Sequence, residues 1–494
     1  MNDLLHNFAC ASQAKTLRPH QVLALQMIRQ SVAQKRRRVV CQMPTGAGKT
    51  LTAAKIILGA VERRNRVIFT APAVSLIDQT VEAFEAEGIR DIGVMQANHP
   101  RTDRLAQVQV ASVQTLARRE IPDAALVIVD ECHIKADVVD KLMRARPDLY
   151  FIGLSATPWR QGMGLLWQDL VIPATIGGLI TEGYLSKFVA YAPDVPDLSS
   201  VKVKAGEYAE SGLEAVMGDA KLMGHVVENW LANGGNRPTL CFAVNCAHAA
   251  ALQSEFERHG VAAEYVDAET DIIERARINR RFRAGEVRVI CSVRTMTTGV
   301  DLPVSCIIDA APTMSEMLHV QKIGRGLRVN PGTEDCVIFD HAGNSLRLGL
   351  VTDILHERLD TTQPGKPRPR LPKAEKLPCE CAKCQTLHTG KICPGCGNER
   401  VPQANVEVKD GNLVALGGKA PVPTKADKQR FYSMALSLAK TRGKSSSYAA
   451  GLYKGRFGVW PRGLSETMAH PDGSFLNWEK SRRIAWAKKM EAQR

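Results

Sequence analysis

The sequence predicts an α/β protein: two tandem parallel-sheet lobes, then a small metal-binding ribbon and a mainly helical, basic C-terminal module. Three observations carry that expectation. Short, apolar, β-branched runs alternate with helix-length segments, and the alternation starts afresh after residue 220; such a rhythm builds parallel sheets covered on both faces. Five of the 13 cysteines crowd between Cys379 and Cys396. The charge is also lopsided: residues 1–360 carry 40 Lys and Arg against 41 Asp and Glu, whereas residues 401–494 carry 17 against 7. That is the pattern of a polyanion-binding appendage on a neutral body, or of a solvated basic tail.

Taken in order, the runs at 38–41, 66–69, 126–129 and 149–152 are strands of a first lobe, residues 1–185. Runs at 239–243, 287–290 and 306–309 are strands of a second, residues 218–360, with helices at 252–258 and 271–283. Residues 186–217 connect them, because Pro193, Pro196 and the Ser199-Ser200 pair interrupt the pattern. Gln363-Pro364-Gly365-Lys366-Pro367-Arg368-Pro369-Arg370 cannot continue a helix or a sheet, so 361–377 is a linker. The ribbon occupies 378–400, a second linker 401–424, and the module 425–494, with helices over 426–439 and 447–457 flanking Gly443.

Charged residues at 23% and apolar residues at 45% exclude wholesale disorder. No uninterrupted apolar run approaches the roughly 18 residues that span a bilayer, and Met1-Asn2-Asp3-Leu4-Leu5 lacks the positive region of a signal peptide. The expectation is a soluble intracellular protein with no membrane contact.

The chemistry starts where the first strand runs into Met43-Pro44-Thr45-Gly46-Ala47-Gly48-Lys49-Thr50 and then a helix. In that setting backbone N–H groups from Thr45 to Gly48 close around a β-phosphate, Lys49 reaches the β- and γ-phosphates, and the Thr50 hydroxyl ligates Mg²⁺. Met43 stands where the general pattern has its first glycine. Further on, Leu126-Val127-Ile128-Val129 delivers Asp130-Glu131-Cys132-His133 at a strand end. Adjacent acids there suit a triphosphatase, Asp130 on Mg²⁺ and Glu131 polarising the attacking water.

These residues resemble superfamily 2 helicases of the DExH type, in the right order over both lobes. Leu17-Arg18-Pro19-His20-Gln21 is similar to the adenine-recognising segment, which implies Arg18 and Gln21 at the base. Thr70-Ala71-Pro72 and Ser112-Val113-Gln114-Thr115 are similar to nucleic-acid-contacting segments, implying Pro72, Gln114 and Thr115 on the strand. Ser155-Ala156-Thr157-Pro158 resembles the motif that couples hydrolysis to movement, with Ser155 and Thr157. Thr298-Gly299-Val300-Asp301 resembles motif V, placing Thr298 on nucleic acid and Gly299 and Asp301 at the nucleotide. Thr115 and Thr298 also read simply as cap or turn residues. Gln321-Lys322-Ile323-Gly324-Arg325-Gly326-Leu327-Arg328 resembles motif VI.

The resemblance implies RecA-like lobes with ATP between them. Arg325 and Arg328 then act as arginine fingers, and Gln321 and His133 relay between γ-phosphate and nucleic acid. The motif forms look most like bacterial RadD-type DNA repair helicases and their phage or prophage relatives, hence a bacterial or phage-infected cytoplasm. The partner is single-stranded or forked DNA, bound by the inter-lobe surface and the basic C-terminal region, with a single-strand-binding or replication protein as a further partner. An ATP-dependent clamp that recruits partners without unwinding, and an RNA helicase, are the competing readings.

Cys381-x₂-Cys384 and Cys393-Pro394-Gly395-Cys396 have zinc-ribbon spacing, with Cys379 the odd thiol and His388 a bystander. The ribbon's role is open between nucleic-acid or partner contact and structural support. In the C-terminal module Phe431, Tyr432, Tyr448, Tyr453, Phe457, Trp460, Phe475, Trp478 and Trp486 interleave with Lys440, Arg442, Lys444, Lys454 and Arg456. Two uses stand: the rings form a small helical core and the cations touch phosphate, or the rings also stack on bases.

Overall fold

The computed structural model describes residues 15–96, 99–192, 196–204, 206–218, 220–293, 295–297, 302–330, 332–363, 378–381, 383–390, 392–399, 425–457, 459–471, 475 and 479. Met1–Leu5, Pro193, Thr298–Asp301, 364–377, 401–424, Trp478 and Trp486 lie outside the described residues. The chain forms two units, Met1–Pro402 and Gln403–Arg494.

In the first unit, β1 (Arg38–Gln42), β2 (Val67–Ala71), β3 (Ile92–Met95), β4 (Val108–Ser112), β5 (Leu126–Asp130), β6 (Tyr150–Ser155) and β7 (Asp169–Val171) make one parallel sheet in the order β3-β4-β2-β5-β6-β1-β7. Their side chains are almost wholly buried on both faces, which is why these runs are continuously apolar rather than alternating. The order matters for the site. It sets β6 between β5 and β1, pairing Gln42 with Ser155 and Asp130 with Leu154. Three segments distant in sequence thus end side by side at the carboxyl edge, where α/β sheets bind ligands.

The second sheet, also parallel, uses β8 (Lys187–Tyr191), then β11 (Thr239–Phe242), β12 (Ala263–Val266), β13 (Val289–Ser292), β14 (Cys306–Asp309) and β15 (Asp335–Phe339), in the order β12-β13-β11-β14-β15-β8. A two-residue hairpin, β9 (Val203–Lys204) and β10 (Glu207–Tyr208), lies between β8 and β11 in sequence. The segment expected to be a bare connection, 186–217, therefore holds structure of lobe 2. Its β8 pairs along five residues with β15. Glu207 of the hairpin accepts hydrogen bonds from the Thr313 hydroxyl at 2.6 Å and the Met314 N–H at 2.8 Å.

After lobe 2 the chain doubles back onto lobe 1. The Gly164 N–H donates to Asp360 O at 2.8 Å, and Gln161 Nε2 to Gln363 O at 3.0 Å. The His356 ring lies 4.6 Å from that of Trp159, while His356 Nε2 is 2.6 Å from Glu316 Oε2. A Cβ on Gly164 would meet Thr361 Cγ2 at 2.8 Å, so only glycine admits this strap. The cysteine segment follows as β16 (Cys379–Glu380) and β17 (Leu387–His388), and Thr386 bridges to Tyr191 on the free edge of β8. Leu387 is buried in the same apolar cluster as the lobe cores.

The C-terminal unit is a pair of packed helices, Lys425–Thr441 and Ser446–Phe457, with Gly443 at φ +61° between them. Phe431, Tyr432, Tyr453 and Phe475 are buried there, and Phe457 packs on them.

Candidate active site between the lobes

The turn between β1 and the helix Lys49–Val61 carries Gly46 at φ +83° and Gly48 at φ +86°, conformations open to glycine at no steric cost. The space is also needed: a Cβ on Gly48 would stand 2.2 Å from Gln21 Nε2. Met43, in place of a glycine, is fully buried, and its N–H donates to Ser155 O at 2.9 Å. It anchors the loop in the core. Lys49 and Thr50 open the helix, where unpaired N–H groups favour anions.

Asp130 ends β5, and Glu131 follows at φ +46°. A left-handed non-glycine residue costs about 1–3 kcal/mol and is held only where its surroundings over-determine it. Lys49 Nζ lies 3.4 Å from Glu131 Oε1, and His133 Nδ1 lies 3.3 Å from Oε2. Burial alone would raise the Glu131 carboxyl; Lys49, His133 and Arg325 outweigh it and hold the group at about 2. Burial and the adjacent Glu131 push Asp130 the other way, to about 7. A divalent cation fits this pair of acids. Glu131 Oε2 is buried without a hydrogen bond, and the crowded carboxylates need positive charge.

The second lobe closes the site. Gln321 Nε2 stands 2.9 Å from His133 Nε2 and 2.9 Å from Thr157 Oγ1. His133 Nδ1 is 2.9 Å from Ser155 Oγ, which also accepts the Thr157 N–H at 3.0 Å. With the amide donating to Nε2, the imidazole proton sits on Nδ1. Gln321, His133, Ser155 and Thr157 are all buried, so one hydrogen-bonded chain joins the lobes beside Glu131. A Cβ on Gly324 would meet Thr45 at 3.2 Å, and Arg328 Cγ is 3.3 Å from where a Cβ on Gly46 would lie. Arg325 is buried near enough to Glu131 to lower its pKa. From the opposite lobe, Arg328 thus lies against the phosphate loop and Arg325 faces Glu131.

Behind them is a contact to which the sequence reading gave no role. Lys322 Nζ, buried, donates to Asp309 Oδ1 at 2.5 Å and Ala311 O at 2.8 Å. Asn344 Nδ2 donates to the other Asp309 oxygen at 2.8 Å. Burial raises the Asp309 carboxyl, but Lys322 and His319 together hold it well below the carboxylate range. This pair fixes the helix Glu316–Gly324 to the end of β14.

At the expected base site, Gln21 uses its amide on protein: Oε1 accepts the Arg18 N–H at 2.9 Å and Nε2 donates to Ala47 O at 3.2 Å. The Arg18 guanidinium lies 5.1 Å over the Tyr184 ring, which His20 meets edge-on at 5.1 Å. Tyr184 carries no motif signal and was not anticipated. Pro72, Gln114 and Thr115 sit past the ends of the paired strands β2 and β4, on the same sheet edge as Lys49 but not beside it. Gln114 is exposed, and the Thr115 N–H and hydroxyl both pair with Ser112 Oγ. Thr298, Gly299 and Asp301 lie outside the described residues.

The Sγ atoms of Cys381, Cys384, Cys393 and Cys396 lie within 4.8 Å of one another, with closest pairs at 3.5 and 3.6 Å. A zinc tetrathiolate, with Zn–S of about 2.3 Å, needs sulfur separations of about 3.8 Å. The four thiols therefore fit that ion. Cys379 is turned away, its thiol on His388 O at 3.7 Å, and His388 Nδ1 is 3.0 Å from Gly390 O.

In the C-terminal unit one expectation is corrected. Arg442 is not available to phosphate: both its terminal nitrogens pair with the buried Glu479, at 2.6 and 3.0 Å.

Two similar parallel-sheet lobes with a phosphate loop in one and facing arginines in the other define a nucleotide-hydrolysing protein of the helicase class. Comparison with known proteins agrees. The profile of the type III restriction enzyme res subunit family matches residues 14–160, and that of the helicase conserved C-terminal domain matches 222–330. A 51.5 kDa protein of Lactococcus phage (isolate 7-9) is 27% identical over 369 residues, covering 72% of this chain and 77% of that one. IRC3 of Saccharomyces cerevisiae, which bears the name of an ATP-dependent helicase, is 28% identical over 376 residues, 69% of this chain and 53% of that one. The type ISP restriction-modification enzyme LlaBIII bound to DNA shares the fold at a TM-score of 0.51 and 16% identity, over 66% of this chain and 28% of that one. The chain belongs to the superfamily 2 helicases, in their DExH form. It spans about half the length of the yeast relative and less of the restriction enzyme. No described helix is long and apolar enough to cross a membrane.

Proposed function

We propose that the chain is an ATP-driven DNA translocase or helicase that hydrolyses ATP between its two lobes. The observation that carries this is the meeting of Arg328 with the phosphate loop while Gln321 bridges His133 and Thr157. Catalytic groups from both lobes are then complete only when the lobes are shut, so each turnover makes and breaks the inter-lobe contact. Lys49 holds the β- and γ-phosphates, Glu131 orients and polarises water, and Arg325 and Arg328 face the transferred phosphoryl group. Thr50 and Asp130 would hold Mg²⁺, which supplies charge neutralisation on the phosphates. The His133–Gln321 contact passes the state of that site to Ser155 and Thr157.

DNA as the track is supported by the basic C-terminal region and by the DNA-bound LlaBIII fold relative. The finer setting, a RadD-like role in repair, recombination or replication in a bacterial or phage-infected cytoplasm, rests on the motif residues. So does a single-strand-binding or replication protein as partner. We infer Zn²⁺ in the cysteine cluster.

The test is ATPase and strand displacement on single-stranded, forked and blunt DNA and on RNA of the same sequence. The proposal expects stimulation by DNA and displacement from a fork. Stimulation without displacement at either tail polarity supports the clamp, and stimulation by RNA alone overturns DNA as the track.

A further inference from the structure

Five of the aromatic side chains in the C-terminal unit account for one another. Phe431 meets Phe457 and Phe475 at 5.2 and 5.0 Å, and Tyr453 meets Phe457 and Tyr432 at 4.8 and 5.8 Å, largely edge to face. The Tyr448 hydroxyl donates to Glu479 at 3.1 Å. These rings form or pack on the core of the helix pair.

Trp460 is different. It is 52% exposed, on the segment that leaves the second helix, next to Val459 at 55%. Lys454 Nζ lies 4.4 Å from the centre of its ring, so a cation covers one indole face and the ring is held in place. Lys454 and Arg462, both exposed, flank it, in a region carrying 17 basic against 7 acidic residues. A large flat apolar ring kept in water among cations lacks the surroundings of a core residue. An exposed indole with an ammonium group over one face and an exposed arginine two residues further along the chain suits an unpaired base with its phosphates.

We propose that Trp460 is a stacking platform for an unpaired base of single-stranded DNA, with Lys454 and Arg462 pairing the adjoining phosphates. This rests on the reading of the chain as a DNA motor. Stacking and phosphate pairing differ in their response to salt, because only the second releases counterions. Trp460→Ala should weaken binding of a thymidine oligonucleotide to the full chain by roughly 5- to 150-fold, by the same factor at every salt concentration. Trp460→Phe should restore most of it. Lys454→Ala and Arg462→Ala should each reduce the slope of log affinity against log salt by about 0.7.

Anisotropy titrations over a salt series read these values, with far-UV circular dichroism to confirm intact helices. A 5-iodouracil oligonucleotide should photocrosslink to Trp460. The proposal is overturned if Trp460→Ala binds as tightly as the parent, if it changes the slope instead of the affinity, or if its loss accompanies lost helicity and Phe does not rescue. It also falls if crosslinks map elsewhere. In those cases DNA-stimulated ATPase in the parent chain would leave the motor reading standing; its absence with every DNA would remove both.

Discussion

Gln321 of the second lobe and His133 of the first stand 2.9 Å apart, both buried, with Thr157 on the same amide. One side chain thus contacts both the histidine beside Glu131 and the Ser155–Pro158 segment.

Breaking that contact should separate nucleotide binding from nucleic-acid response. Gln321→Ala is expected to leave nucleotide affinity near the parent's and to lower the stimulation of ATPase by DNA roughly 2- to 30-fold, the size of a local coupling. Phosphate release with and without DNA, beside a fluorescent-nucleotide titration, measures both.

The four site charges should be more costly to remove. Lys49→Ala and Glu131→Gln should each abolish measurable turnover, Glu131→Gln by at least about 10²-fold. Arg325→Ala or Arg328→Ala should cost roughly 10³–10⁵, with Lys a poor substitute because it lacks the planar fork. Unchanged circular dichroism would assign each loss to chemistry.

The Lys322–Asp309 pair gives a pH signature. The Asp309 pKa is depressed in the fold, so its contribution is fully present above the unfolded value of about 4 and is lost as pH falls through the folded one. Lys322→Met leaves a buried carboxylate unpaired and should destabilise by about 3–5 kcal/mol at neutral pH. The difference from the parent should shrink in acid, where Asp309 takes up a proton. Urea unfolding at neutral and acid pH compares the two.

Removing metal should act on lobe 2 as well as on the cysteine segment. Thr386 bridges to Tyr191 and Leu387 enters the lobe core, so chelation or Cys384→Ser should lower the melting temperature of the first unit. The loss of Leu387 burial alone is worth roughly 1.5–3 kcal/mol. Amide exchange along β8 should quicken at the same time.

Much of this was legible in the sequence because a phosphate loop, a paired acid and a row of arginines demand fixed residue types at fixed backbone bends. Of the strands, β3, β4, β7, β12 and β15 went unrecognised, while β1, β2, β5, β6, β11, β13 and β14 were legible as short apolar runs buried on both faces. β8 was not: Lys187–Tyr191 is an edge strand of mixed exposure, and Pro193 and Pro196 close by argue for a linker. Tyr184, the Lys322–Asp309 pair and the bond of Arg442 to Glu479 depend on residues brought together only by the fold. The aromatic residues of the C-terminal unit showed their composition but not their division, which is why Trp460 stood level with its buried neighbours.

The polypeptide leaves lobe 1 near Leu185, lies against lobe 1 again at Asp360, where the Gly164 N–H holds it, and its cysteine segment is back at the edge of β8 in lobe 2. Two bodies pinned at two places swing about the line through both pins, as a door does on a pair of hinges. The opening we propose, which parts Arg328 from Gly46, would thereby be steered along one arc, and a protease nick near Leu185 would leave the contact at Asp360 still joining the halves.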